Sequence, residues 1–206
     1  MGTAHGTLYG SATIAAGRLH LTGSNPNNRM ETGSFGHTLA EKTLVAWCTL
    51  ENSENDSAGG PLSVQSGSGS VFDAIVYGER VHKQWMNGSD YWNRTPVNNG
   101  GAAETLAEPD AIMMAIVYAS NNGIKIYRNG TSYATITQGS LVSFGTDAVA
   151  LIGPRHGASG TFNGYFNGYI DEARIYNTAL NSSQIAVLAA EGPVTVPVRG
   201  TVILLR

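Results

Sequence analysis

Cleavage of a glycan on a β-sheet protein generally requires two carboxyl groups, and this sequence offers no pair with suitable spacing. In a retaining glycosidase the two groups are about 5 Å apart and rigidly held. Acids two or four residues apart on a strand would share a face, but no Glu-x-Asp-x-Glu pattern occurs among the 15 acidic residues. Glu51, Glu54 and Asp56 fall in a polar loop, while Asp171 and Glu172 are adjacent and would point to opposite faces. We therefore predict that the chain is not an enzyme.

Metal and nucleophile chemistry are equally poorly supported. The five histidines form neither His-x-His nor His-x-x-x-His, so a zinc or iron site is not indicated. No Gly-x-Ser-x-Gly motif occurs. The single cysteine, Cys48, excludes an internal disulfide and lies in a strand-like apolar run, TLVAWCTL, where a buried thiol is expected.

Residues 73–92 carry the most promising binding chemistry. This stretch mixes aromatic and planar charged side chains, and we interpret the mixture as typical of sugar binding, in which aromatic faces cover C–H patches. The alternative is that Trp85 and Trp92 are buried anchors and that the charges form a solvated strand face. Asp73 shares its face with apolar residues, so it is either paired with Arg80 or Arg155 in a covered site or exposed in a groove.

A second candidate is the sequence Pro-Arg-His-Gly at residues 154–157. It follows a predicted strand, and loops at strand ends often carry function in sandwiches. An ordinary turn is the alternative. The complete set of predicted ligand-binding residues is Asp73, Arg80, His82, Trp85, Trp92, Arg155 and His156.

The elements that would position these residues are short strands. Runs of five to eight strand-forming residues, separated by turn residues, recur along most of the chain, which contains 26 glycines. In AIMMAIVY (111–118) the residues on both faces of the predicted strand are apolar, and in SVFDAIVY (70–77) nearly all are. Both should therefore be central strands that are covered on two sides. We predict an all-β fold of two antiparallel sheets in one domain, 1–206, with a core at 6–192 and a tail or terminal hairpin at 193–206.

Local signals define one hairpin and one helix. Asn129-Gly130 predicts a type I′ turn that pairs Arg128 with Thr131 and places Ile126 opposite Tyr133. Asn181 and Gln184 have the spacing of a capping box, which predicts a helix that begins after Asn181. Leu180 and Ile185 have the spacing of a hydrophobic staple at the same end. Gly192-Pro193 is predicted to end the helix. Two long loops remain, at 52–60 and 98–110, of which the first is polar and expected to be mobile.

Composition limits the partners. The net charge is −3 and no basic block occurs, which argues against nucleic acid or an anionic membrane as the main partner. No run of about 18 apolar residues is present, so no membrane insertion is predicted. The N-terminus does not read as a signal peptide, and we interpret the chain as a domain of a larger protein. A monomer is expected for the isolated domain.

The last third resembles the LamG-like family of laminin G-like or concanavalin A-like domains. The stretch FNGYIDEARIYNTALNSSQI (166–185) is similar to the family's closing pattern, and GRLHLTGSN, TLVAWCTL and GIKIYRNGTSYAT match three earlier pieces in order. The resemblance spans about 6–192 and implies a two-sheet jelly roll. It also implies one structural Ca²⁺ at the rim, for which Asp171 is the candidate ligand; a hydrogen bond from Asp171 to local backbone is the alternative.

The middle of the chain resembles a bacterial subgroup attached to large exported proteins, which implies an extracellular, cell-surface or periplasmic location. Three functions remain open. The first is a non-catalytic carbohydrate-binding or adhesion module whose partner is a polysaccharide or glycoconjugate. The second is a structural or protein-interaction domain without glycan affinity. The third, disfavoured by the absence of an acid pair, is a glycan-cleaving enzyme.

Overall fold

The structure is a computed structural model that describes residues 5–23, 25–89, 101–136, 139–158, 161–194 and 202–205. Strands dominate these residues. The elements are β1 (Gly6–Tyr9), β2 (Thr13–Ala15), β3 (Arg18–Leu21), β4 (Arg29–Thr32), β5 (Lys42–Leu50), β6 (Gly60–Gln65), β7 (Phe72–Tyr77), β8 (Trp85–Ser89), β9 (Ile112–Tyr118), β10 (Ile124–Arg128), β11 (Thr131–Ile136), β12 (Val149–Gly153), β13 (His156–Ala158), β14 (Thr161–Asn163), β15 (Gly168–Tyr176), α1 (Ser182–Glu191) and β16 (Val202–Leu205).

Two large sheets face each other. One has six strands in the order β1-β4-β12-β6-β7-β8, and the other follows β11-β10-β9-β5-β15-β3-β2, with β16 beside β15. A third pair, β13-β14, forms a small hairpin. The prediction of an all-β, two-sheet antiparallel sandwich with one short helix near the C-terminus is confirmed. Both predicted central strands, β7 and β9, have a hydrogen-bonded neighbour on each side.

The main core lies between the sheets. Alternate residues of the facing strands point inward, so that Leu62 and Ile75 from one sheet and Leu44 and Ile116 from the other belong to one buried cluster. Cys48 is part of this cluster and fully buried, as expected, and burial raises the pKa of its thiol. Because the two sheets pack against this core, the ends of their strands, and with them the positions of the connecting loops, are fixed.

Helix α1 covers the outer face of the eight-stranded sheet. Its buried Ile185 belongs to a second cluster with Val45, Trp47 and Tyr127, which explains why β5 is buried on both faces. The capping box is present: Asn181 Oδ1 accepts from the Gln184 N–H at 3.0 Å. The helix ends at Gly192, as the sequence predicts.

The Asn129-Gly130 turn also forms as predicted. Both residues have positive φ, 47° and 80°, and Arg128 pairs with Thr131. The predicted pairing of Ile126 with Tyr133 is wrong, because a register shift follows Ile126 and places it opposite Ala134. Such a bulge leaves no local sign in the sequence.

The expected terminal hairpin within 193–206 stays a prediction. Strand β16 pairs in parallel with β15 at residues 172–175. The partner predicted for it, at 194–198, lies almost entirely outside the described residues. No helix in the described part of the chain is both long enough and apolar enough to cross a lipid bilayer.

Candidate functional site

Asp73 lies in the interior, although it was predicted to bind a ligand. Its side chain is 0 % exposed, and its Oδ2 is 2.8 Å from the Nζ of Lys42 on the opposite sheet. Ser89 Oγ donates a 2.6 Å hydrogen bond to Oδ1. The predicted ion-pair partners, Arg80 and Arg155, are wrong, because β5 directs its first residue into the space between the sheets. A side chain enclosed there cannot touch a glycan.

The ammonium group of Lys42 is fully engaged in the core. Nζ donates to the carbonyls of Ala40 at 3.0 Å and Val142 at 2.8 Å, and it lies 4.8 Å from the centroid of the Tyr118 ring. Burial lowers the pKa of Lys42, and the negative charge of Asp73 opposes that effect. The pair ties one sheet to the other and is structural.

Trp85 is also internal, which corrects its assignment to a bound surface. Its side chain is fully buried, its ring centroid is 4.8 Å from that of Tyr77, and its Nε1 donates to Glu104 Oε2 at 3.0 Å. The alternative interpretation, a buried anchor, is confirmed for this residue. Trp92 lies outside the described residues, so the same question stays open for it.

Glu104 is a buried acceptor of hydrogen bonds next to Trp85 and the turn at 78–84. Its two oxygens accept five hydrogen bonds: from Trp85, from Arg128 Nε at 2.8 Å and Nη2 at 2.7 Å, and from the N–H groups of Thr105 and Leu106. Burial alone would raise the pKa of Glu104, but the bonds from Arg128, Leu106 and Trp85 lower it below its usual value. Sequence reasoning missed this residue, since a lone Glu in a polar loop gives no sign of its partners.

The polar loop at 52–60 is fastened to the turn at 78–84, although it was expected to be mobile. His82 Nδ1 is hydrogen-bonded to Asp56 Oδ2, and His82 Nε2 lies 3.3 Å from Glu54 Oε2. The Lys83 N–H donates to Asp56 Oδ1 at 2.9 Å. The hydrogen bond to Asp56 raises the pKa of His82. His82 is exposed as predicted, but its polar atoms face acids of this protein.

Three residues at the loop end of the six-stranded sheet form a group that we call the arginine rim: Glu79, Arg80 and Arg155. Arg155 Nη1 is 2.8 Å from Glu79 Oε1, with the two side chains 18 % and 10 % exposed. Arg80 follows Glu79 in the chain and is exposed. Burial and the positive charge of Arg80 lower the pKa of Arg155. Of the predicted residues, these two arginines are the pair that the structure brings together.

His156 turns away from the rim onto the outer face of the six-stranded sheet. Its ring stacks on Phe72, with centroids 4.3 Å apart and planes 16° apart. The next residue, Gly157, donates its N–H to Gln65 Oε1 at 2.8 Å. His156 is half-buried, so one edge of this packed layer reaches the surface beside Arg155.

Asp171 occupies a bulge in β15, between the residues that pair with Cys48 and Trp47. Burial raises its pKa, which the positive charge of Arg18 and a backbone hydrogen bond oppose. Its Oδ2 is buried without a hydrogen-bond partner, as a calcium ligand would require. However, the nearby charge is a cation, and the described residues include no group of three His, Cys, Asp or Glu side chains that could hold a metal. Because backbone carbonyls can supply most of the oxygens around Ca²⁺, the assignment of Asp171 as a calcium ligand stays a prediction.

The family is decided by a match over most of the chain. The concanavalin A-like lectin/glucanases superfamily matches residues 22–186. The chain belongs to this superfamily. The resemblance inferred from the sequence is thereby confirmed. No match was found among curated proteins.

Solved structures agree on the fold. Domain 4 of AbnA, an extracellular arabinanase from Geobacillus stearothermophilus in complex with arabinotriose, aligns with a TM-score of 0.60 at 16% identity, covering 90% of this chain and 87% of that one. A SAP-like pentraxin from Limulus polyphemus gives 0.57 at 12% identity over 84% and 81%. A putative carbohydrate binding protein from Bacteroides ovatus gives 0.52 at 13% identity over 90% and 47%. At these identities the likeness shows the fold alone.

Proposed function

We propose that this domain is a non-catalytic carbohydrate-binding or adhesion module of a larger exported protein. The observation that carries the proposal is the arginine rim, where Arg80 and Arg155 flank Glu79 at the accessible end of the sandwich. Planar guanidinium and carboxylate groups form paired hydrogen bonds with adjacent hydroxyls. The rim thus has the chemistry for a sugar and lacks a group that would cleave one.

The distribution of acids supports a binding role. Asp73 and Glu104 are buried and held by Lys42 and Arg128, respectively. Glu54 and Asp56 both contact His82, so they already share a cation of the protein. Domain 4 of the arabinanase, which has a similar fold at 16% identity, was solved in complex with arabinotriose, and this supports a sugar-binding role.

A glycan array followed by titration calorimetry tests the proposal. A single polar contact of this size predicts a Kd of about 0.1–1 mM. Arg80→Ala should weaken binding about tenfold or more, because it removes an exposed guanidinium from the rim. Lys125→Ala removes an equally positive, exposed side chain from β10 and should leave binding unchanged. Equal affinity in the wild type and Arg80→Ala would remove the rim as the site, and silence across the array would remove the function.

A structural or protein-interaction role is the second candidate, supported by exposed apolar side chains on two edge strands. Leu8 on β1 is 38 % exposed and Ile14 on β2 is 42 % exposed. Unpaired edges with apolar side chains favour contact with another chain. Under this role the protein would be silent on the array, and Leu8→Lys would change its elution in size-exclusion chromatography with light scattering. A reducing-end assay on the same glycans tests the enzymatic alternative.

A further inference from the structure

The arginine rim has an excess of positive charge. Arg80 and Arg155 adjoin the single carboxylate of Glu79, and among the described residues Arg80 forms no ion pair. The protein as a whole carries a net charge of −3, so this local excess is opposite in sign to the average surface. A small cationic site on an acidic protein selects among anionic ligands, because the negative charges around the site repel an anion that binds anywhere else on the surface.

Arg155 has unused hydrogen-bonding capacity at this point. One of its terminal nitrogens contacts Glu79, but its Nε is buried and finds no acceptor. A buried donor without a partner costs about 1–3 kcal/mol. An oxygen supplied by a ligand would remove that cost, and a guanidinium presents Nε and a terminal nitrogen as two parallel donors to a planar anion.

The neighbouring basic residues do not share this property. His82 is held between Asp56 and Glu54, and Lys83 Nζ is 2.5 Å from Glu54 Oε1. Their charges are neutralised within the loop. Among the basic side chains of the described residues around the 78–84 turn, the two arginines thus carry the positive charge available to a ligand.

The backbone holds the two arginines in place before any ligand arrives. The N–H of Arg155 donates to Asn163 O at 2.9 Å, and the carbonyl of the preceding Pro154 accepts from Ser63 Oγ at 3.4 Å. On the other side, Gly78 has φ +67° and donates its N–H to Gln84 O at 2.9 Å, which fixes the turn that carries Glu79 and Arg80. A fixed backbone reduces the entropy that these segments lose on binding.

We infer that the glycan bound at the arginine rim is anionic and presents a carboxylate or a sulfate ester to Arg80 and Arg155. This inference rests on the proposed carbohydrate-binding function and specifies its substrate class. One anionic oxygen pair bridges the guanidinium groups while Glu79 keeps Arg155 oriented and accepts from a hydroxyl of the same sugar. Burial first and the positive charge of Arg80 second lower the pKa of Arg155 in the free protein, and a bound anion offsets the repulsion between the two arginines.

Titration calorimetry with two matched pairs of oligosaccharides tests the inference. The first pair is an oligogalacturonate and its methyl ester; the second is a sulfated galactan oligosaccharide and its desulfated form. Binding to one charged member should exceed binding to its neutral counterpart at least tenfold and weaken as NaCl rises from 50 to 300 mM. Whether the uronate or the sulfate binds more tightly identifies the source of the charge.

Two variants connect the preference to the rim. Arg80→Gln should abolish the preference for the charged member while leaving the melting temperature unchanged, because Arg80 is exposed. Arg155→Lys keeps the charge but loses the paired donors and should weaken binding of the charged member at least fivefold. The Lys125→Ala variant should behave as the wild type.

The outcomes separate this inference from the function on which it rests. Equal binding of charged and neutral members overturns the anionic preference and leaves carbohydrate binding standing. A charge preference that survives in Arg80→Gln also overturns the inference, since the anion then binds elsewhere. Binding to no glycan of the array or of these pairs overturns both.

Discussion

Two carboxylates at the same end of the sandwich, Glu104 and Glu79, each contact an arginine, yet their surroundings differ completely. Glu104 is 2 % exposed and accepts five hydrogen bonds, two of them from Arg128. Glu79 contacts one nitrogen of Arg155, whose Nε stays without an acceptor. The turn at 78–84 separates the two groups, and the Glu104 N–H donates to Lys83 O within it.

The difference distinguishes a structural group from a binding group. Where every donor and acceptor is matched internally, a ligand can gain nothing by approaching, and substitution costs stability. Where a guanidinium has a donor without an acceptor, as Arg155 has at Nε, a ligand oxygen can supply the missing partner. Residue type alone does not separate the two cases; the number of satisfied hydrogen bonds does.

Loss of the ion pair in the core should have the largest effect. Lys42→Ala leaves the Asp73 carboxylate buried between the sheets without its cation, so the free energy of unfolding should fall by about 3–5 kcal/mol. Urea denaturation followed by tryptophan fluorescence measures the change. A loss below about 1 kcal/mol would mean that internal matching does not govern stability in this sandwich.

A double variant is the control for Lys42→Ala. Lys42→Met with Asp73→Leu replaces both charges with apolar groups of similar volume, which often restores stability after a buried pair is removed. It should recover most of the loss, although Ser89 Oγ loses its acceptor. Neither variant should change glycan affinity, because both side chains are enclosed.

Substitution of the two compared glutamates comes next in magnitude. Glu104→Ala leaves the buried Trp85 Nε1 and two backbone N–H groups without acceptors, so a loss of about 3 kcal/mol is expected. Glu79→Ala removes the carboxylate that contacts Arg155 Nη1 and should cost less, about 1–2 kcal/mol. Thermal and urea unfolding of the two variants measure the difference.

Glycan affinity should show the reverse order. Glu79→Ala removes a carboxylate that orients Arg155, and it should weaken binding even though the fold is intact. Glu104→Ala should bind normally at temperatures where it remains folded. If the two variants lose equal stability and equal affinity, the distinction between a matched and an unmatched arginine does not hold here.

The fold could be predicted from local sequence signals because those signals act over short distances. Alternating apolar residues, the Asn129-Gly130 turn and the Asn181 cap each specify backbone geometry within a few residues, and each appears in the structure. The pairing of Ile126 was predicted wrongly, since a bulge depends on packing across strands. Likewise, the parallel pairing of β16 with β15 joins distant parts of the chain.

The candidate site could be predicted only in part. Arg80 and Arg155 were predicted to bind and lie at the rim, whereas Asp73 and Trp85, predicted with them, are enclosed. The sequence left a covered position open for both, because a strand's alternation does not say which face is enclosed. Lys42 stands 31 residues from Asp73 in the chain, and a lysine at a strand start usually points to water. Contacts of this range are set by how the sheets stack, which composition and periodicity do not encode.

The loop at 52–60 should show the smallest effect, a pH dependence of its attachment to the 78–84 turn. Contacts with Asp56 and Glu54 raise the pKa of His82 in the folded protein. Because the folded-state pKa exceeds the unfolded value of about 6.5, the attachment contributes fully below that pH and is lost as the pH rises through the folded-state pKa. Proton NMR of the His82 ring and hydrogen exchange of the Lys83 N–H, which donates to Asp56, should follow one titration.

His82→Gln isolates the charge in that attachment. The variant keeps a polar side chain but cannot become cationic, so exchange at Lys83 should lose its dependence on pH in this range. His82 is not part of the arginine rim, so glycan affinity should stay constant across the His82 titration. If affinity instead followed the His82 titration, the binding surface would extend across the 78–84 turn. A histidine whose hydrogen bonds are satisfied within the protein would then belong to the binding site together with the two arginines.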